Sequence, residues 1–268
     1  MQYENIKLAK DGWLGTLTLN RPGKMNALSK ELQLEMQHAL DDLEADESIR
    51  AVIVNGEGKA FSAGFDISGS ASGKKFTVPE WRANTKREND TWFRIWNSRL
   101  PFVAAVHGYC LGGACELSMV CDVTIAAEDA QFGEPEIQFQ SAPPFPIMPW
   151  VLGMKKTKEL LLTGDRIDAR EAERIGLVNR VVPQDQLMSS AREFARKLSM
   201  IPPPAMHITK QGLNRAYEIR GFKSTIDLFS ELFALIVTSE SQEKADFDKI
   251  AAEQGLKAAF KWRDAKFL

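Results

Sequence analysis

The chain has 268 residues, 44% of them hydrophobic and 26% charged, the balance of a globular protein with room for one substantial core. Its 34 basic and 36 acidic residues leave a net charge of −2, too balanced to suggest a nucleic-acid or membrane surface. No apolar run nears the ~20 residues that span a bilayer, and the opening "MQYENIKLAKDGW" has no signal-peptide core, so the expected location is cytoplasmic. Cys110, Cys115 and Cys121 have no Cys-x-x-Cys spacing and are expected to be reduced, buried thiols.

In chain order, residues 3–20 predict a hairpin, with "DGW" as its turn and alternating apolar positions in "LGTLTLN". Ser29 then caps a helix whose Leu32, Met36, Ala39 and Leu43 share one face. "RAVIVNG" is a continuous apolar strand, buried on both sides. The loop "GKAFSAGFDIS" follows, then the polar, glycine-rich "SGSASGKKFTVPEW", expected to be mobile. A helix carrying Trp92, Phe93 and Trp96 leads to Pro101, and "FVAAV" is a second buried strand. "HGYCLGGA" opens the helix "CELSMV", and "DVTIAA" is a third strand. This alternation predicts parallel strands joined by crossover helices. Residues 155–178 predict two short helices, and "NRVVP" a last strand. The remainder reads as helical, interrupted at "IPPP", Gly212, Gly221 and Gly255. The expected division is a sheet-bearing core over 1–195 and a helical region over 196–268.

Several familiar sites are near misses. "GSASGKK" (69–75) has its first glycine one residue too late for a phosphate loop, and Lys75 where a magnesium-binding hydroxyl belongs. "GEGKAF" puts Phe61 at the third glycine of a dinucleotide fingerprint. "GSASG" has Ala71 where a nucleophile elbow needs serine. His38, His107 and His207 are too scattered for a metal site.

The constellation left over is "HGYCLGGACELSMVCD". Glycines at a helix mouth leave backbone N–H groups unpaired and unshielded, and the helix dipole adds positive potential there. Such a mouth suits an anion, or an oxygen that becomes one during reaction; the same glycines also permit close helix–strand packing. Glu116 lies three residues beyond Gly113, among small and apolar neighbours, and a buried carboxylate is costly unless paired or used. In "AQFGEPEIQF", Glu134 and Glu136 flank Pro135. An extended segment there would send one carboxyl to the core and the other to water.

Together, "GKAFSAGFDI", "HGYCLGGACELSMVCD", "AQFGEPEI", "LLTGDRIDAREAERIGLV", "LTLNRPGKMNAL" and "KAAFKWRDAKF" resemble the crotonase family, the enoyl-CoA hydratase/isomerase group, over nearly the whole chain and in the family's order. The resemblance implies an α/β fold, a crotonase-like ββα spiral core with a C-terminal helical trimerisation region. It implies an acyl-CoA thioester substrate whose carbonyl oxygen sits between the N–H groups of Phe65 and Gly113, with Glu116 and Glu136 as the catalytic pair. Two carboxyls suit addition of water across a double bond, whereas members that only shift a double bond manage with the one matching Glu136. The resemblance further implies that backbone near Ala60, Ala63 and Asp66 meets the adenine and that Lys24 meets the phosphates. Phe260 and Arg263 would close over the CoA from a neighbouring subunit's tail, in a homotrimer or a hexamer. No metal or redox cofactor is implied, since CoA arrives as part of the substrate.

One segment departs from the family. Where many hydratases carry a glycine-rich stretch after the second glutamate, this chain has "QSAPPFPIMPWVLG", with four prolines and Trp150. Prolines fix the backbone and remove donors, so a stiffer acyl wall is expected. Trp81, Trp92, Phe93 and Trp96 read either as core packing or as lining of that pocket. The expected activity is enoyl-CoA hydration. The alternatives are an isomerase or another enolate-based reaction resting on Glu136, or a non-catalytic acyl-CoA-binding or scaffold protein.

Overall fold

A computed structural model of the protein describes residues 3–67 and 76–267. The near-miss phosphate loop at 69–75, with Ala71 and Lys75, lies outside the described residues. Of the stretch expected to be a mobile loop, Thr77 already begins order: it caps the next helix in a reciprocal box with Glu80.

The chain runs β1 (Ile6–Asp11), β2 (Leu14–Leu19), α1 (Lys30–Ala45), β3 (Ala51–Gly56), α2 (Val78–Asn97), β4 (Phe102–Val106), β5 (Tyr109–Leu111), α3 (Gly113–Val120) and β6 (Val123–Ala127). It continues through β7 (Gln131–Gly133), α4 (Met148–Val151), α5 (Met154–Thr163), β8 (Ile167–Asp168), α6 (Ala169–Arg174), β9 (Arg180–Val182) and α7 (Leu187–Ser199). Four helices close it: α8 (Pro203–Ile219), α9 (Phe222–Thr238), α10 (Gln242–Gln254) and α11 (Leu256–Asp264).

The larger sheet has the order β1-β2-β3-β4-β6-β9. Only the β1–β2 hairpin is antiparallel; the other pairs are parallel. Its strands are covered on both faces, by the helices that shelter Leu32, Met36, Trp92 and Leu117 on one side and by Leu187, Ala191 and Ala195 of α7 on the other. Double burial is why they read as unbroken apolar runs. A smaller sheet, β5-β7-β8, lies apart. The loop after β3 joins it through a parallel bridge between Ser62 and Cys110. Successive turns of the chain therefore contribute to the large sheet, then to the small one, then to a helix, which is the expected spiral of two strands and a helix.

Two boundaries differ from expectation. Gly212 lies inside α8 rather than interrupting it, where one glycine costs about 1 kcal/mol and packing overrides it. Residue 195 falls inside α7, which belongs to the core it covers. The helices beyond are tied to that core. Buried Lys210 of α8 donates to the carbonyls of Ile95 and Leu100 (3.1 and 2.9 Å) and to Asp122 Oδ2 (2.7 Å). Among the described residues, no helix is long and apolar enough to cross a membrane.

Candidate active site

The loop after β3 is pressed against the mouth of α3. Ser62 N donates to Tyr109 O (2.9 Å), and Leu111 N donates to Ser62 O (3.2 Å). Gly64, at φ +92°, faces this seam: a β-carbon there would stand 2.5 Å from Leu111 O and 3.4 Å from Gly113 N. Only glycine accepts that conformation and that approach. The Phe65 ring in turn lies over Gly113, 2.5 Å from where a β-carbon would be. Phe65 and Gly113, far apart in sequence, are thus neighbours. Among the described residues neither backbone N–H has a hydrogen-bond partner.

Glu116 occupies the first turn of α3 and is fully buried. Both of its oxygens are held: Oε1 accepts from Phe145 N and Oε2 from Trp92 Nε1, each at 3.0 Å. In the run Pro143-Pro144-Phe145-Pro146, Phe145 has the one N–H, and it is spent on Glu116. The proline-rich segment therefore fixes the buried Glu116 carboxyl. Burial drives the Glu116 carboxyl well above its ordinary range, opposed by the Phe145 and Trp92 donors and reinforced by Glu136.

The second pair of carboxyls corrects an expectation. Pro135 starts a 3-10 turn over Pro135–Phe139 rather than an extended segment; Glu134 is buried and Glu136 half-buried, with its Oε2 shut off from water and without a partner among the described residues. Glu134 is 2% exposed, and both its oxygens lack partners among the described residues. Burial, with Glu116 and Glu136 nearby, pushes it strongly upward, toward the neutral acid. Glu136 lies against Gly112 (φ +54°), where a β-carbon would collide with its Oε1. Burial raises Glu136 to about 7, against the pull of its own backbone N–H and of Arg263.

α10 and α11 fold back on the same chain, and Phe139, in the turn that carries Glu136, packs against Phe247 and Phe260 (6.0 and 6.2 Å between centroids). Arg263 is 4% exposed, stacks over Phe260 at 4.8 Å and pairs with Asp264 at 2.5 Å. Gln140, which caps the turn, donates to Ser239 O at 2.8 Å, so the helical region grips the C-terminal end of the element bearing Glu136.

The expected CoA residues divide. Lys24 is exposed, ends a 3-10 turn and has no ion-pair partner among the described residues. The next residue's carbonyl, Met25 O, accepts from Ala63 N (2.9 Å), which sets Lys24 beside the loop. The Ala60 carbonyl, by contrast, accepts from buried Asn26 Nδ2 (2.8 Å) and faces Gly56, so it is turned inward. Asp66 N donates to Leu28 O (3.3 Å), and its carboxylate pairs with Arg21 at 2.8 Å.

Two unpaired N–H groups beside carboxyls that burial holds above the ordinary range can hold an oxygen that gains negative charge while a proton is moved next to it. Sequence reasoning missed the supports of this arrangement: Trp92, the Phe145 N–H, the Gly112 cradle and the buried Glu134. "PPFP" and Glu134 beside "FG" were the available signals.

A family model described as enoyl-CoA hydratase/isomerase matches residues 10–255. A short-chain-enoyl-CoA hydratase from Clostridium acetobutylicum is 36% identical over 91% of this chain and 94% of its own. A crotonyl-CoA hydratase from Syntrophomonas wolfei is 34% identical over 100% and 99%. Among solved structures, an enoyl-CoA hydratase/isomerase from Xanthobacter autotrophicus Py2 superposes with a TM-score of 0.96, at 42% identity and with 100% of both chains covered.

Proposed function

The chain belongs to the enoyl-CoA hydratase/isomerase family, and from that premise we propose that it hydrates 2-enoyl-CoA thioesters with Glu116 and Glu136 as its acid–base pair. The thioester oxygen is held by the N–H groups of Phe65 and Gly113. Negative charge grows there as an enolate forms, so these donors favour the transition state over the substrate. Glu136, raised by burial to about 7, takes the ionised role near neutrality. Glu116 takes the protonated role, its carboxyl raised well above the ordinary range by burial against the pull of Phe145 and Trp92. Water adds at the β-carbon as one carboxyl takes its proton, and the other manages the proton at the α-carbon. The observation that carries this reading is a fully buried Glu116 and the buried Oε2 of Glu136 beside two unpaired N–H groups.

CoA enters as part of the substrate, with Lys24 toward its phosphates and the backbone of Ala63 toward its adenine. The helical region over 196–268 serves assembly into trimers or hexamers, supported by exposed Ile208, Leu213, Leu228 and Leu235 on α8 and α9. The direct test adds crotonyl-CoA to the purified protein and follows loss of the conjugated enoyl absorbance. Hydration to the 3-hydroxyacyl thioester supports the proposal; double-bond migration alone on a longer ester, or binding without turnover, would replace it.

A further inference from the structure

The buried face of α2 carries more polar chemistry than a plain alkyl chain would use. Trp92, the donor to Glu116 Oε2, lies on it with Glu88 one turn before and Thr85 two turns before. Thr85 is 0% exposed, yet its Oγ1 has no partner among the described residues. Thr91 on the same helix returns its hydroxyl to Arg87 O at 3.0 Å, the usual outlet. Asn89 is 6% exposed; its Nδ2 donates to Pro144 O and Ser230 Oγ (3.3 and 2.9 Å), leaving Oδ1 without a partner. Pro144 accepts only, so the amide's orientation is fixed. Glu88 has a side chain 14% exposed, with Arg87 at 3.8 Å as its ion-pair contact. Its charge is felt at Glu116, and its own carboxyl is raised to about 8 by burial against the pull of Arg87. Buried polar atoms left unpaired are rare and call for an explanation.

Resting on the hydratase reading, we propose that Thr85, Glu88 and Asn89 determine acyl specificity, selecting a 2-enoyl chain that carries an uncharged hydroxyl toward its far end. A hydroxyl both donates and accepts, so it satisfies Thr85 Oγ1, Asn89 Oδ1 and the Glu88 carboxyl. A carboxylate only accepts, so it leaves Asn89 Oδ1 without a donor. A bare alkyl end leaves these groups buried and unpaired, and sites built to bind a hydroxyl strongly reject the analogue without one. Thr85 lies about 10 Å along the helix from Trp92, which suits a chain of roughly eight carbons.

The test compares kcat/KM for two 2-enoyl-CoA esters of that length, with and without a terminal hydroxyl, using crotonyl-CoA as a control too short to reach Thr85. Calorimetric binding of the matched saturated thioesters reads the same preference without turnover. Wild type is expected to favour the hydroxylated ester at least tenfold. Thr85→Val should erase that preference while leaving crotonyl-CoA hydration within a few-fold. Equal or better use and binding of the plain ester, or a Thr85→Val variant that weakens both esters alike, overturns the proposal. If crotonyl-CoA is not hydrated but the binding preference holds, the hydratase reading fails and the specificity assignment stands.

Discussion

Trp92 Nε1 donates to Glu116 Oε2 at 3.0 Å, which ties the middle of α2 to the first turn of α3 through a carboxyl that water does not reach. Trp92→Phe keeps most of the packing and removes the donor. The orphaned oxygen then costs about 1–3 kcal/mol. Activity on crotonyl-CoA should fall at least tenfold, with the high-pH limb of the rate profile moving upward because one hydrogen bond to the ionised form is gone. An unchanged profile would make Trp92 a packing residue only.

Gly112 is the cradle of Glu136. Gly112→Ala sets a β-carbon on Glu136 Oε1 at a positive φ. Displacing a reacting group by about 1 Å costs roughly 100-fold in rate, and the strained backbone about 1–3 kcal/mol of stability. Gly153→Ala, where a β-carbon meets nothing within 4 Å, is the control and should match wild type in crotonyl-CoA hydration and in thermal unfolding.

Hydration as proposed needs one carboxyl ionised and one protonated. Glu136 is raised by burial to about 7; as the ionised partner of the pair it makes the active form accumulate as pH rises through 7. kcat/KM is therefore expected to fall about tenfold per pH unit below that point, and again once Glu116 loses its proton. A profile flat from about pH 5 to 8 would contradict the assignment.

Glu134 gives a stability test with a definite sign. Its folded-state carboxyl is raised above the ordinary 4.5, so the folded chain holds more protons than the unfolded one. Stability is full below the unfolded value and drains as pH rises through the folded one. Glu134→Gln removes this loss. Its melting temperature should exceed that of wild type by an amount that grows with pH above about 5, and about 1 kcal/mol would appear as 2–4 °C. A constant offset at all pH values would show that Glu134 is not proton-linked.

Much of this was legible in the sequence. Strands buried on both faces gave continuous apolar runs, and the Ser29 cap and the spacing of Leu32, Met36 and Leu43 located α1. The small sheet was not legible because β5, β7 and β8 have only two or three residues each and are defined by partners distant in the chain. Of the site, Glu116, Glu136 and the glycines at the α3 mouth stood out as residue types out of keeping with their neighbours. What holds them did not: Trp92 reads as one more apolar residue, and a backbone N–H leaves no trace in a sequence unless prolines isolate it, as around Phe145. The packing of the tail on its own chain was not legible for the same reason, since it depends on Phe139 meeting Phe247 and Phe260 across more than a hundred residues.

The most direct measurement of the central claim is steady-state hydration of crotonyl-CoA by Glu116→Gln and Glu136→Gln, each checked for native fold by thermal unfolding. The account predicts that each substitution alone lowers kcat by roughly 100-fold to 10,000-fold while KM changes little. If Glu116→Gln hydrates as wild type does, the two-carboxyl mechanism is wrong, and Glu116 is a buried structural group beside a reaction run by Glu136.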